Sequence, residues 1–338
     1  MLSNMTENFT NSTSESITNT SGSGVISAII VVLSIIIIVG VIGNSMVIAV
    51  VGCIPSMKTT TNFLIVNVAV SDIITLLLTA LHVGLSRIGG RVGANVFFCK
   101  VVDPNTLSNT ALIATGLTLT VLSVERYNAL VKPMAISRRL TKNNVGYVIV
   151  AIWVVSMVMA LPILVYLYID PSTGMCTPGD KKENLYISLT FIVIFMTIVP
   201  FLVIAFSYFQ IISGLYFKNT ICNATAPGQQ SEDLVAKRKL VKLLLTVTVI
   251  FFIAFVPYGV ALILKFSLNA KHNAQQLKNL RELSKVSAYL MPLHSSINPF
   301  LYAFQSQNYR HGFKVVIRKI FYCRNAPENN DIQPSAAV

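Results

Sequence analysis

The chain is 338 residues long, 54% hydrophobic and only 12% charged, a balance too apolar for a soluble domain of this length. Its net charge of +13 does not point to nucleic acid, because most of the inner basic residues flank long apolar runs, where anionic lipid headgroups attract them. Five cysteines are too few for a disulfide scaffold, and no Gly-rich phosphate loop, His/Cys metal cluster, nucleophile elbow or internal repeat gives an enzyme a foothold.

Residues 1–24 contain no Lys or Arg and carry Asn-x-Ser/Thr sequons at Asn4, Asn8, Asn11 and Asn19. This pattern predicts an extracellular, glycosylated tail. No basic start followed by a short apolar core and a cleavage site precedes the first span, so that span is expected to direct insertion itself. Crossing a bilayer takes ~20 apolar residues in a helix, and seven runs qualify: 25–51, 62–84, 96–127, 145–168, 185–217, 240–266 and 283–304. The fold class expected is an all-α membrane protein, a seven-transmembrane bundle over 25–304, followed by a short amphipathic surface helix over 305–321 and a cytoplasmic tail over 322–338. The loops are short, and only 219–233, with its Ala-Pro-Gly, reads as flexible.

Lys and Arg set the orientation. Lys58 lies in the first inner loop; Lys132, Arg138, Arg139 and Lys142 lie in the second; Lys218, Lys237, Arg238, Lys239 and Lys242 flank the third; Arg310, Lys314, Arg318, Lys319 and Arg324 follow the last span. The N-terminus is therefore expected outside, and Asn223 begins a sequon on the cytosolic side. Cys99 and Cys176 are the two cysteines on the oxidising side and are expected to form a disulfide. Cys53, Cys222 and Cys323 face the cytosol. Cys323 follows the basic surface helix and is a candidate either for a lipid anchor or for a free thiol.

Polar residues within the spans carry the rest. Asp72 is an ionisable group deep in an apolar helix and should face the bundle interior, holding water, a cation or a proton, with Asn44, Thr115, His294 and Asn298 as partners. An interhelical polar clamp without an ion is the alternative. Pro257 and Pro299 each remove a backbone hydrogen bond and create a bend that can serve as a hinge. Glu125-Arg126-Tyr127 places a charged pair at the inner end of the third span, where charge is costly unless function requires it.

Taken in order, Asn44, Asp72, Arg126, Trp153, Pro200, Pro257 and the run Asn298-Pro299-Phe300-Leu301-Tyr302 resemble the rhodopsin-like family of G-protein-coupled receptors, over about 25–321. The resemblance implies a sodium-binding site at Asp72, although this chain has Thr115 and His294 where Ser and Asn are more frequent. It implies a core switch at Phe251, Phe255 and Pro257, with Phe255 where Trp is usual. It also implies that Arg126 pairs with Glu125 at rest and on activation swings toward Tyr208 and Tyr302, as the sixth helix opens a crevice for a heterotrimeric G protein. Pro133 and Met134 match the second inner loop, which docks the G protein. Lys237 stands where many relatives have an acid that restrains the Arg. The tail and third inner loop offer only Thr220, Thr225, Ser231 and Ser335 as hydroxyls, which implies weak arrestin recruitment.

The amine-receptor slot on the third helix falls on Ser108 counting from Arg126, or on Thr106 counting from Cys99, and Asp103-Pro104 marks a local distortion of the helix top that could displace Asp103 toward it. The retinal-attachment position falls on Pro292, which argues against an opsin. The ligand pocket expected includes Arg87, Asn105, Ser108, Asn109, Leu112, Tyr258, Lys265, Lys285 and Tyr289, below a rim with more basic than acidic residues. The function expected is a plasma-membrane receptor for an extracellular ligand, a peptide first and a small acid or lipid second, that is not itself an enzyme. A transporter, the reading from another class, would show repeats and several buried ionisable residues.

Overall fold

In a computed structural model of the protein the described residues are 2–87, 96–97, 99–100, 106–132, 139–171, 176–177, 182–214, 230–267 and 274–321. Within the lipid core every backbone polar group must be satisfied by its own segment, and α-helices meet that condition. The chain forms α1 (Leu2–Cys53), a 3₁₀ turn (Pro55–Met57), α2 (Thr60–Arg87), α3 (Thr106–Leu130) and α4 (Val145–Tyr166). A two-residue hairpin, β1 (Tyr168–Ile169) and β2 (Cys176–Thr177), precedes α5 (Lys182–Ile212), α6 (Gln230–Ser267), α7 (Ala274–Gln305) and α8 (Gln307–Phe321). The hairpin is antiparallel, with Ile169 opposite Cys176.

Among the described residues six segments are long and apolar enough to cross a membrane: Ala28–Cys53, Thr60–Gly84, Thr106–Leu130, Val145–Tyr166, Glu183–Ile212 and Arg238–Val260. The seventh helix, α7, has the length, at 32 residues, but its outer part carries Lys278, Arg281, Glu282 and Lys285 and its inner part the run His294-Ser295-Ser296, which dilute its apolarity. Among the described residues the differences from the sequence reading lie at the ends of elements. Ahead of the third helix Cys99 and Lys100 form a π-helical turn, and Thr106, the first residue of α3, donates its Oγ1 to the Lys100 carbonyl at 2.6 Å. The loop read as 219–233 is shortened by α6, which begins at Gln230.

The bundle is built around α3, the most buried of these six spans, while α1, α4 and α5 are the least buried. Helix α3 packs on α2, α4, α5 and α6, while α7 packs on α1, α2 and α6. Several hydroxyls in the spans bond back to the carbonyl one turn earlier, as in Thr110 to Thr106, Thr118 to Ala114 and Ser156 to Ile152, which satisfies them within their own helix. Three helices are tied by one relay: Trp153 Nε1 donates to Asn67 Oδ1 at 2.9 Å, and Asn67 Nδ2 donates to Thr118 Oγ1 at 2.8 Å. Helix α1 approaches α7 closely because Gly43 has no Cβ; one placed there would lie 2.9 Å from the Pro299 ring. Ser296 Oγ donates to the Ile36 carbonyl at 2.9 Å across the same seam.

Candidate functional site

The functional residues of the sequence fall into three tiers along the bundle. In the outer tier, Asn109 of α3 is in hydrogen-bonding contact with the phenol of Tyr258 on α6. Ser108 and Leu112 are buried on α3, and Tyr289 on α7 is 45% exposed. Asn105 and Asp103, and the side chains of Arg87, Lys265 and Lys285, lie outside the described residues. Cys99 is buried and disulfide-bonded, while the side chain of Cys176 is outside the described set.

The middle tier is polar and buried. Asp72 is 1% exposed, and its Oδ2 accepts from Asn298 Nδ2 at 2.8 Å. Of the partners expected from sequence, Asn44 goes elsewhere: its Nδ2 donates to the carbonyls of Gly40 and Ser295, both at 2.9 Å. His294 also goes elsewhere, meeting the Phe251 ring edge-on with centroids 5.4 Å apart. Thr115 is buried on α3. Ser295 lies beside Asp72; it was missed because a Ser in a Ser-Ser pair carries little signal of its own. Asn44 Oδ1, Ser295 Oγ, Asn298 Oδ1 and both nitrogens of His294 are buried without a hydrogen-bond partner among the described residues. Orphaned buried polar atoms are costly, and Ser295 Oγ and Asn298 Oδ1, on the two residues beside the Asp72 carboxylate, are oxygen donors of the kind a hard cation takes.

Above this tier Phe251 stacks on Phe255, with ring centroids 5.5 Å apart and planes 10° apart. The Phe251 ring rests on Gly116 of α3, where an added Cβ would approach it to 3.2 Å. Pro257 lies in the same helix, and α6 meets α3 and α7 through this aromatic column.

The inner tier holds the charges. Arg126, 4% exposed, grips Glu125 with two prongs, Nε to Oε2 at 2.5 Å and Nη2 to Oε1 at 2.8 Å, the geometry in which a guanidinium–carboxylate pair is strongest. The pair is seated on the first turn of α2: Thr60 Oγ1 and Thr61 Oγ1 donate to Glu125 at 3.3 and 3.4 Å, and Arg126 Nη2 donates to Thr61 Oγ1. Neither threonine stood out in the sequence, since a hydroxyl at a helix start reads as a cap. Tyr127 lies tilted against Phe206 and under Lys132. The two tyrosines expected to receive Arg126 are engaged elsewhere, Tyr208 with Thr248 and Tyr302 stacked on Tyr309 at 5.3 Å. Pro133, Met134, Cys323 and the side chains of Lys237 and of Asn4, Asn8, Asn11 and Asn19 are outside the described residues.

The family model described as "7 transmembrane receptor (rhodopsin family)" matches residues 43–302. The allatostatin-A receptor of Bombyx mori is 30% identical over 305 residues, covering 87% of this chain and 79% of that one. Galanin receptor 2b of Danio rerio is 33% identical over 303 residues, with 87% and 74% covered, and galanin receptor type 1 of Rattus norvegicus is 28% identical over 309 residues, with 89% and 84% covered. A multi-pass bundle with a buried carboxylate, an aromatic column and a seated Arg–Glu pair, matched over most of its length, places this chain in the rhodopsin family of seven-transmembrane receptors.

Proposed function

We propose that this receptor sits in the plasma membrane with its N-terminus outside, binds an extracellular peptide in its outer half, and activates a heterotrimeric G protein from its inner end. The peptide reading draws on relatives named as receptors for allatostatin-A and galanin. It also fits a pocket whose described lining, Ser108, Asn109, Leu112, Tyr258 and Tyr289, holds hydroxyls, an amide and phenols rather than a carboxylate. The observation that carries the signalling role is the seated Arg126–Glu125 pair. A buried guanidinium held by the Glu125 carboxylate and the Thr61 hydroxyl can exchange these partners for others on neighbouring helices, which is what a two-state switch requires.

In this reading Cys99 pairs with Cys176 and ties the outer hairpin to the top of α3. The sequons before α1 carry glycans, the basic face of α8 rests on anionic lipid, and Cys323 carries the lipid anchor. A monovalent cation suits the middle tier, where the Asp72 carboxylate with Asn44 Oδ1, Ser295 Oγ and Asn298 Oδ1 would hold it and its charge would balance the buried carboxylate. Arrestin recruitment is weak, since isolated hydroxyls in the tail cannot build a dense phosphate cluster.

The deciding experiment is Arg126→Ala, assayed for agonist-driven nucleotide exchange and for peptide binding without G protein. Exchange is expected to vanish while affinity in the uncoupled state stays within a few-fold. Unchanged exchange at equal surface expression rejects the coupling role.

A further inference from the structure

Asn62, the third residue of α2, has its backbone and side chain fixed before it meets anything distant. Its N–H donates to Thr59 Oγ1 at 3.2 Å and its Nδ2 donates to the Met57 carbonyl at 2.7 Å. Those two bonds fix the carboxamide and aim its Oδ1 away from the turn. Across the inner face of the bundle, Tyr309 of α8 donates its phenol to that oxygen at 3.2 Å. Tyr309 is 3% exposed, and its ring lies between Tyr302, at 5.3 Å, and Phe313, at 6.0 Å. Its own helix is capped at the elbow, where the Tyr309 N–H donates to Ser306 Oγ at 3.4 Å.

Packing alone does not call for this hydroxyl, because a phenylalanine would present the same ring to Tyr302 and Phe313. A buried phenol needs a partner, and Asn62 supplies one on a different helix. The two residues before Asn62 are Thr60 and Thr61, which seat Glu125 and Arg126. One turn of α2 therefore touches both the ion pair of α3 and the joint between α7 and α8.

We propose that Asn62 and Tyr309 are positioning residues of the signalling step: their hydrogen bond latches the α7–α8 elbow to the foot of α2 and keeps Tyr302 on Tyr309, away from Arg126, until agonist shifts the bundle. The inference rests on the roles given above to Arg126 and Tyr302. Its sign follows from the arrangement itself. Arg126 is bound to Glu125, and Tyr302 must leave the Tyr309 ring to reach it, so a contact that fixes Tyr309 favours the resting state.

The test uses the full chain in membranes and reads ligand-free nucleotide exchange per surface receptor. Tyr309→Phe keeps the ring and deletes the hydroxyl; it should raise ligand-free exchange by about three- to tenfold, the range set by one net hydrogen bond. Agonist affinity without G protein should rise in the same variant, which loss of stability alone would not produce. Asn62→Ala, or Asn62→Ser should the first fail to reach the surface, should have a similar effect and add little to Tyr309→Phe, since the two remove one bond. Unchanged or lower ligand-free exchange in Tyr309→Phe, or full additivity, overturns the latch. Arg126→Ala run alongside separates the two failures: exchange that survives it overturns the coupling role and the latch together, whereas exchange lost there but unchanged in Tyr309→Phe overturns the latch alone.

Discussion

The imidazole of His294 stands edge-on to the Phe251 ring, 5.4 Å between centroids and 67° between planes, and neither of its nitrogens has a hydrogen-bond partner among the described residues. It joins the aromatic column of α6 to the polar tier around Asp72 without taking part in the latter's bonding.

That placement bears on cation binding. His294→Asn together with Thr115→Ser offers oxygen donors where the chain has an imidazole and a bulkier hydroxyl, and hard cations favour oxygen. Sodium chloride, compared with an equal concentration of an organic-cation chloride, should weaken agonist binding more in the double variant than in the parent chain. Asp72→Asn should remove the difference in both. An unaltered sodium response in the double variant would place the cation elsewhere or nowhere.

Lys237 concerns resting activity. An acid there could pair with Arg126 from the foot of α6, and a new charge-assisted pair in a half-buried site is worth on the order of 1 kcal/mol, or several-fold in the resting-to-active ratio. Lys237→Glu is expected to lower ligand-free exchange. An increase, or no change at matched expression, would mean that the threonine seat on α2 already sets that balance.

Cys99 is disulfide-bonded, and the proposed partner is Cys176. Replacing either by Ser should impair surface expression or binding, and replacing both should cost little more than replacing one, because each change removes the same link. Free alkylation of Cys176 in intact, unreduced receptor at the cell surface would disprove the pairing.

The sparse hydroxyls of the C-terminal tail and of the segment between α5 and α6 lead to a comparison of arrestin recruitment between the native chain and one carrying a grafted Ser/Thr-rich tail. The graft should recruit several-fold more, because phosphates in a cluster act together on basic partners. Strong native recruitment that persists when Thr220, Thr225, Ser231 and Ser335 are all Ala would show that contacts with the helical core suffice.

Span-level architecture was legible because apolar length is a property of whole segments. The family was legible because an Asp, an Arg and several prolines inside apolar helices are individually costly and stand out. The hydrogen-bond partners were less so. Asn44 was expected on Asp72 and instead donates to two backbone carbonyls, a choice set by how closely α1 approaches α7, which no local pattern reports. Thr60, Thr61, Asn62 and Tyr309 were hidden for a related reason: each is ordinary in its own helix, and their roles arise from pairing with residues 64, 65 and 247 positions away. Asn67, the hub between Trp153 and Thr118, is of the same kind.

The contact of Gly43 with Pro299 has a mechanical consequence. Helix α7 lacks a backbone hydrogen bond at Pro299, as it does at Pro292, and at Pro299 it is α1 that leaves it no lateral room. A bend made at that point cannot slide sideways into α1; it can only pivot, with the glycine face of α1 as the fulcrum. A small tilt of the outer arm of α7, where a ligand would push, is then converted into rotation of the inner arm that carries Tyr302, and a bulkier residue at position 43 would move the pivot and alter the leverage between the two ends.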